Sequence, residues 1–424
     1  MKYLMFVLLG FCIFSCSTVE KKITAPEDYD QFLTTAPIPT TSKYFELWNS
    51  KIKPDSLQFL SFGIVAGEYT RYFMQNGDIE QLKNAEKALE RAVEIAGVNQ
   101  TNYLRALARN YISQHKFKEA LPLAKKAEAL GSRVKETKML LFDIYMELGN
   151  YAKAEAYLDD FYKDNDFGSY IRKAKFRDYE GKLDVAINYM ELAREIADNS
   201  KNAQLQLWTY TNLADFYGHA GKIAIAYQHY LKALAIDAQN AYAKKGIAWI
   251  VFAHEKNPKE ALRILDSVLR YHKSPDYLLL KMEIAAFMEN DLEEEQYRKS
   301  YVELVEKPGY GVMYNTHHLE SYLEDSEQIA EALLLAKEKV NSRPTPESYG
   351  WLAYSYLKSG EKEKAMDLVK NHIAGKTSEP GILLQVAEIY KANGETAQVI
   401  ALKEELLTAS FELGPLKEKQ ILAL

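Results

Sequence analysis

Cysteine is nearly absent from this chain of 424 residues: there are two, Cys12 and Cys16, both within the first sixteen positions. Everything downstream therefore has neither an internal disulfide nor a cysteine-based metal site. A basic excess is missing too. The net charge of −6 and pI near 5.9 argue against a general nucleic-acid binder, which would carry a positive balance, so nucleic acid is not expected as a partner. Catalytic signatures are lacking: there is no GxSxG, no P-loop and no HExxH. His317-His318 is an adjacent pair, but successive helical residues point about 100° apart, which suits one metal poorly. His219, His229, His254 and His372 stand alone on helical patterns. No catalytic centre, cofactor or metal site is expected, and the chain reads as non-enzymatic. After residue 14 no apolar run is long enough to span a bilayer, which takes about 20 residues.

What is present is a repeating apolar pattern. With 47% hydrophobic and 26% charged residues the chain can bury a large core, and thirty tyrosines serve as long, half-polar packing spacers. In the stretch 210–240, Tyr210, Leu213, Ala214 and Tyr217 fall on one helical face, Gly221 breaks the helix, and Ala226, Tyr230 and Ala233 share a face of the next. Small Ala214 and Ala226 let the two helices approach while tyrosines fill the gaps. This pattern resembles the tetratricopeptide (TPR) repeat, with Tyr210 in place of its Trp, Ala214 of its Gly and Ala238 of its Pro.

Steps of about 34 residues recover related units, from Leu107, Ala108 and Tyr111 to Val386, Ala387 and Tyr390. Residues 276–309 keep only the helical periodicity, with Glu293-Glu294-Glu295 where Ala is expected. About six extra residues in 194–209 lengthen either helices or a loop, and Lys307-Pro308-Gly309-Tyr310-Gly311 is a loop signal. The expectation is an all-α TPR superhelix of about ten helix pairs, divided into stacks over 44–309 and 310–413, with 414–424 as a cap. The resemblance implies that the first helix of each pair lines a concave, ligand-binding surface.

The N-terminus reads as an address. Lys2 precedes an apolar run from Tyr3 to Phe14, too short to span a membrane and fitting a secretory signal over residues 1–15. Ile13-Phe14-Ser15-Cys16 resembles a bacterial lipobox, although Phe14 is larger than the usual residue there; the resemblance implies lipidation of Cys16. Ser17 in place of Asp favours the outer membrane, facing either side. The alternative is an ordinary signal releasing a soluble, secreted or periplasmic protein. Residues 16–43, with Pro26, Pro37 and Pro39, read as a flexible tether.

On the inner helices, Arg105, Arg109, Arg172 and Lys175 form a basic set suited to an acidic peptide or C-terminal carboxylate. Asp143 supplies the alternative, a ladder in which it pairs with Arg109 and Lys175. Trp208, Asn212, Asp215 and His219, with Trp351 and Tyr354, form an aromatic and polar set suited to peptide or sugar, or simply to packing between repeats. The whole resembles the TPR lipoproteins common in Bacteroidota. That implies a membrane-anchored scaffold for protein or peptide partners, with glycan or nutrient capture of the SusD type as the alternative.

Overall fold

In a computed structural model, residues 22–34, 41–53, 55 and 57–424 are described. Cys16 and the signal segment lie outside them. The described residues are helical throughout, without a strand. After two short helices, Pro26–Leu33 and Lys43–Asn49, ten helix pairs follow. Pairs one to five are Phe59–Asn76 with Ile79–Ile95, Gln100–Ser113 with Phe117–Ala129, Val134–Glu147 with Tyr151–Asp159, Phe167–Tyr179 with Leu183–Ser200, and Ala203–His219 with Ile223–Ile236. Pair six is Ala241–Trp249, running into a π turn Ile250–His254, with Pro258–Leu269; pair seven is Asp276–Phe287 with Asp291–Val305. Pairs eight to ten are Asn315–Glu324 with Ile329–Ser342, Pro346–Lys358 with Lys362–Leu368, and Pro380–Ala392 with Thr396–Thr408; Ser410–Leu422 closes the chain.

Local chemistry sets these ends. Asn150, Asp166, Asn202, Asn240, Asn257 and Asn290 each accept an amide hydrogen bond in the first turn of the helix they open. Within pairs, small residues take the crossing point: Ala85, Ala120, Ala154, Ala186, Ala261 and Ala365 are fully buried. In the seventh pair the fourth residue of the second helix is half-buried Glu294, within the Glu293-Glu294-Glu295 run where Ala is expected. The extra residues of 194–209 lengthen helices: Leu183–Ser200 and Ala203–His219 span 18 and 17 residues across a two-residue turn.

The pairs wind into a TPR-type superhelix that closes on itself. Lys273 donates its backbone N–H to Asn76 O at 2.7 Å and pairs with Asp78 at 2.8 Å, joining pair one to the turn before pair seven. Arg343, before pair nine, spans to pair three, with Nε on Glu147 O at 2.8 Å and Nη2 on the Glu147 carboxylate at 2.7 Å. Trp249 Nε1 donates to Phe411 O at 3.1 Å, and Lys256 pairs with Glu418 at 2.9 Å. The closing helix therefore crosses the interior to pairs five, six and seven besides covering Leu384 and Ala387 of pair ten.

At two of the expected boundaries the chain makes long-range contacts. Tyr310, on the loop expected to divide two stacks, and Tyr314 just after it pack with Tyr301 and Val305 and also with Ile79 and Leu82 of pair one. Residues 22–34 are docked rather than tethering. Ile23 and Thr24 amides donate to Glu255 at 2.8 and 2.6 Å, Tyr29 is buried with its hydroxyl on Glu260 at 2.7 Å, and Asp30 pairs with Arg263 at 2.5 Å. Of the prolines behind the tether expectation, Pro26 opens this helix, where its missing N–H costs little, and Pro37 and Pro39 lie outside the described residues.

Candidate functional site

Closure of the wind leaves an interior cavity of about 880 Å³, walled by inner helices of pairs five to ten, parts of the second helices of pairs five and seven, and the C-terminal helix. A side pocket of about 100 Å³ adjoins it, sharing Asp215, Tyr230, Gly246 and Trp249 and bounded by His219 and Glu412.

The wall is built residue by residue. Gly246 has no side chain where the Tyr230 ring lies, and any Cβ there would collide with that ring. The contact aims the Tyr230 hydroxyl at Asp215 Oδ1, 2.5 Å away, while Tyr242 donates to Oδ2 at 2.6 Å. Burial pushes the Asp215 carboxyl up, and the two hydroxyls oppose that shift. One turn beyond Gly246, Trp249 lines the cavity beside Gly414, whose φ of +79° is open to glycine. A Cβ on Gly414 would stand 2.6 Å from Glu283 Oε1 and 2.8 Å from Trp249 Cη2, so chain, carboxylate and indole edge meet at one point.

Glu283 makes no hydrogen bond or ion pair among the described residues. Burial pushes its carboxyl up to about 7; Lys417 opposes this and Glu320 adds to it. Opposite, Tyr354 donates to Glu388 at 2.7 Å, and Gln385, 7% exposed, has a side-chain oxygen with no hydrogen-bond partner. Glu320 is held by His317 at 3.2 Å and Lys417 at 3.7 Å, and Glu294 by Arg298 at 2.6 Å. Along the wall acidic side chains outnumber basic ones seven to four. They do not converge: among the described residues no three histidine, cysteine or acidic side chains gather as a metal site would need.

The eleven partner-binding residues expected from sequence separate. Asp215, Trp351 and Tyr354 line the cavity, and His219 borders the side pocket, 3.8 Å from Glu412. The basic set does not join them. Arg105 is buried and spends its guanidinium on Asn102, Ser132 O and Thr137, tying pair two to pair three. Arg172 is used up by Asp143 at 2.5 Å, Met139 O and Gly168 O. Lys175 pairs with Glu147 at 2.8 Å. The expected ladder is thus corrected: Asp143 takes Arg172, Lys175 takes Glu147, and Arg109 feels Asp143 only through its charge, making no side-chain hydrogen bond or ion pair among the described residues. One helical turn separates Asp143 from Glu147, and that turn decided the pairing. Trp208 is half-exposed against Phe167, and Asn212 donates to Trp208 O of its own helix.

Glu283, Gln385 and Trp249 were not among the expected site residues. Glu283 sits in the unit with the faintest repeat pattern; its signal is a carboxylate set in the run Leu278–Phe287, which is otherwise apolar apart from Lys281.

No family model and no curated protein matches this chain. Solved structures do. A human IFIT1 dimer with PPP-AAAA shares 14% identity over 77% of this chain and 76% of its own, at a TM-score of 0.49. A monomeric IFIT1 mutant with Gppp-AAAA shares 15% over 74% and 70%, at 0.47. At such identity the likeness concerns the helical-array fold and says nothing of ligands. One expectation is nevertheless withdrawn. Net charge had been taken to exclude nucleic acid as a partner; the similar IFIT1 structures were solved with PPP-AAAA and m7Gppp-AAAA, so that exclusion is not kept. The chain is similar to these structures in its all-helical fold.

Proposed function

We propose that this chain is a non-enzymatic binding protein that takes a segment of a partner protein into its interior cavity, held at the outer membrane by lipid on Cys16. The carrying observation is the cavity itself: about 880 Å³, within the range of ligand sites, walled by aromatic rings beside carboxylates. Its wall offers tyrosine hydroxyls donating to carboxylates, not a hydroxyl or thiol bonded to a histidine, which favours binding over acyl or phosphoryl transfer. Anchoring rests on the sequence Ile13-Phe14-Ser15-Cys16 and its resemblance to a lipobox.

Affinity capture from membranes with the full chain, followed by mass spectrometry, tests the binding reading. Trp351→Phe and Asp215→Asn should each reduce capture of one set of partners while the helical signal stays unchanged. Equal recovery with both variants would overturn the cavity as the binding site. Anchoring is tested separately: radiolabelled palmitate should enter the native chain and not Cys16→Ser, and labelling that survives the substitution rejects it.

A further inference from the structure

Two acceptors of the cavity wall make no hydrogen bond among the described residues. Half-buried Glu283 makes no hydrogen bond or ion pair, and the side-chain oxygen of Gln385, itself 7% exposed, has no hydrogen-bond partner. An unmet buried acceptor such as the Gln385 oxygen costs about 1–3 kcal/mol, and Glu283 adds a carboxylate without a partner, so the site is complementary to a ligand that brings donors. Around them the wall is acidic, seven groups to four. Of the four cations, Arg298 is engaged by Glu294 and Lys417 stands by Glu320.

Aromatic rings accompany the carboxylates. The Trp249 edge and Glu283 both come up to Gly414, and the Tyr230 and Tyr242 hydroxyls donate to Asp215. A carboxylate beside aromatic faces binds a cation on an aliphatic stem better than a compact, strongly hydrated ion, because rings attract the charge and also cover the stem. The spread of the acids round the wall suits several separated charges rather than one metal ion.

We propose, resting on the binding reading above, that the cavity selects alkylammonium groups: lysine side chains on a partner segment, or the same chemistry in a free di- or polyamine. Glu283 receives one ammonium beside Trp249, Gln385 offers an acceptor on the opposite wall, and Asp215 with Tyr230 and Tyr242 marks a second place. The charged groups facing Glu283 are Lys417 on the C-terminal helix and Glu320 on pair eight. Since the Glu283 carboxyl titrates near 7 in the empty cavity, binding is full above that pH and falls as the carboxyl takes up its proton below it.

Calorimetry with the full chain tests this, using spermidine, a lysine-containing peptide and a glutamate-containing peptide of equal length. The amine or the lysine peptide should bind at pH 8, weaken up to about tenfold per unit below pH 7, and weaken about tenfold or more in Glu283→Gln. Exposed Glu338→Gln should change nothing. Tighter binding of spermidine than of the lysine peptide identifies the free amine as the source, and the reverse order a protein segment. Glu283→Gln is isosteric and removes a buried charge, so loss of binding comes with an intact fold, checked by its melting curve. Binding of the glutamate peptide as strongly as the lysine peptide, or unchanged affinity in Glu283→Gln, overturns the proposal. If neither amine binds while membrane capture still depends on Asp215 and Trp351, the ammonium selectivity fails and the binding reading stands.

Discussion

Gly246 and Glu283 show how much of the cavity depends on single atoms. At Gly246 the Tyr230 ring occupies the place of a side chain. Gly246→Ala should therefore cost about 1–3 kcal/mol through overpacking, lowering the melting temperature, and should release Tyr230 from Asp215. A melting curve within error of the native one would show that the ring can move aside freely. Glu283 has the opposite sense. Its folded value near 7 lies above the usual carboxyl value, so between about pH 4.5 and 7 the folded chain holds more protons than the unfolded one. Stability from this group is present in acid and lost as pH rises through 7. Glu283→Gln should then raise the melting temperature at pH 8 and leave it nearly unchanged at pH 4.5; destabilisation at pH 8 would contradict the burial argument. Arg105 is a third case. Sequence position made it a ligand candidate, but its guanidinium is spent between pairs two and three. Arg105→Glu should destabilise the array by several kcal/mol, on the order of 3–5, as breaking a buried charged network does, and should not act as a selective binding mutation.

Among elements, the docked N-terminal helix and the Glu147 clasp carry contacts that no repeat motif encodes. Tyr29 is buried against Glu260, and Tyr227 donates to Asp28 at 3.0 Å. Tyr29→Ala should undock residues 22–34 locally: amide exchange there should accelerate by orders of magnitude while helices of pairs five and six keep their protection. Equal protection in both chains would mean that the polar contacts hold the helix without the ring. At Glu147, burial would raise the carboxyl, but Lys175 and Arg343 outweigh it and hold it below the usual value. One acid thereby joins pairs three and four to the chain entering pair nine. The helix pairs themselves were legible in the sequence, because Ala226, Ala261 and Ala365 recur at the crossing points with a helical period. The docked helix was not legible, since Pro26 reads alike at a loop and at a helix start, and its partners Glu255 and Glu260 lie more than 200 residues away.

For the whole molecule, closure is the property that sequence spacing could not supply. Repeat periodicity reports what each pair does to its neighbour, whereas small changes of angle accumulated over ten pairs decide whether pair one meets pair seven. Thus Asp215, Trp351 and Tyr354 could be placed on inner helices from register alone, while their meeting across one cavity with Glu283 and Gln385 could not. The closure contains a pH-sensitive wedge. His272 lies against Gly77 of pair one, with Nδ1 3.2 Å from the Tyr277 hydroxyl, and burial pushes it down to about 4. His229, also buried, is pushed down to about 4. Both bind protons more readily when unfolded, so their contribution is present above about pH 6.5 and lost as pH falls toward 4. Small-angle scattering should show the array expanding over that interval as the contact between Asn76 and Lys273 opens, before helix content is lost. An unchanged radius down to pH 4 would place the weak point elsewhere.

The docking of residues 22–34 sets how the molecule would stand on its support. They rest against the outer helices Ile223–Ile236 and Pro258–Leu269, midway along the wind rather than at its beginning. With the proposed acyl chains on Cys16, the six residues to Lys22 reach at most about 20 Å. The array would then lie broadside near the bilayer, its back toward the lipid, instead of standing off it on a long stalk.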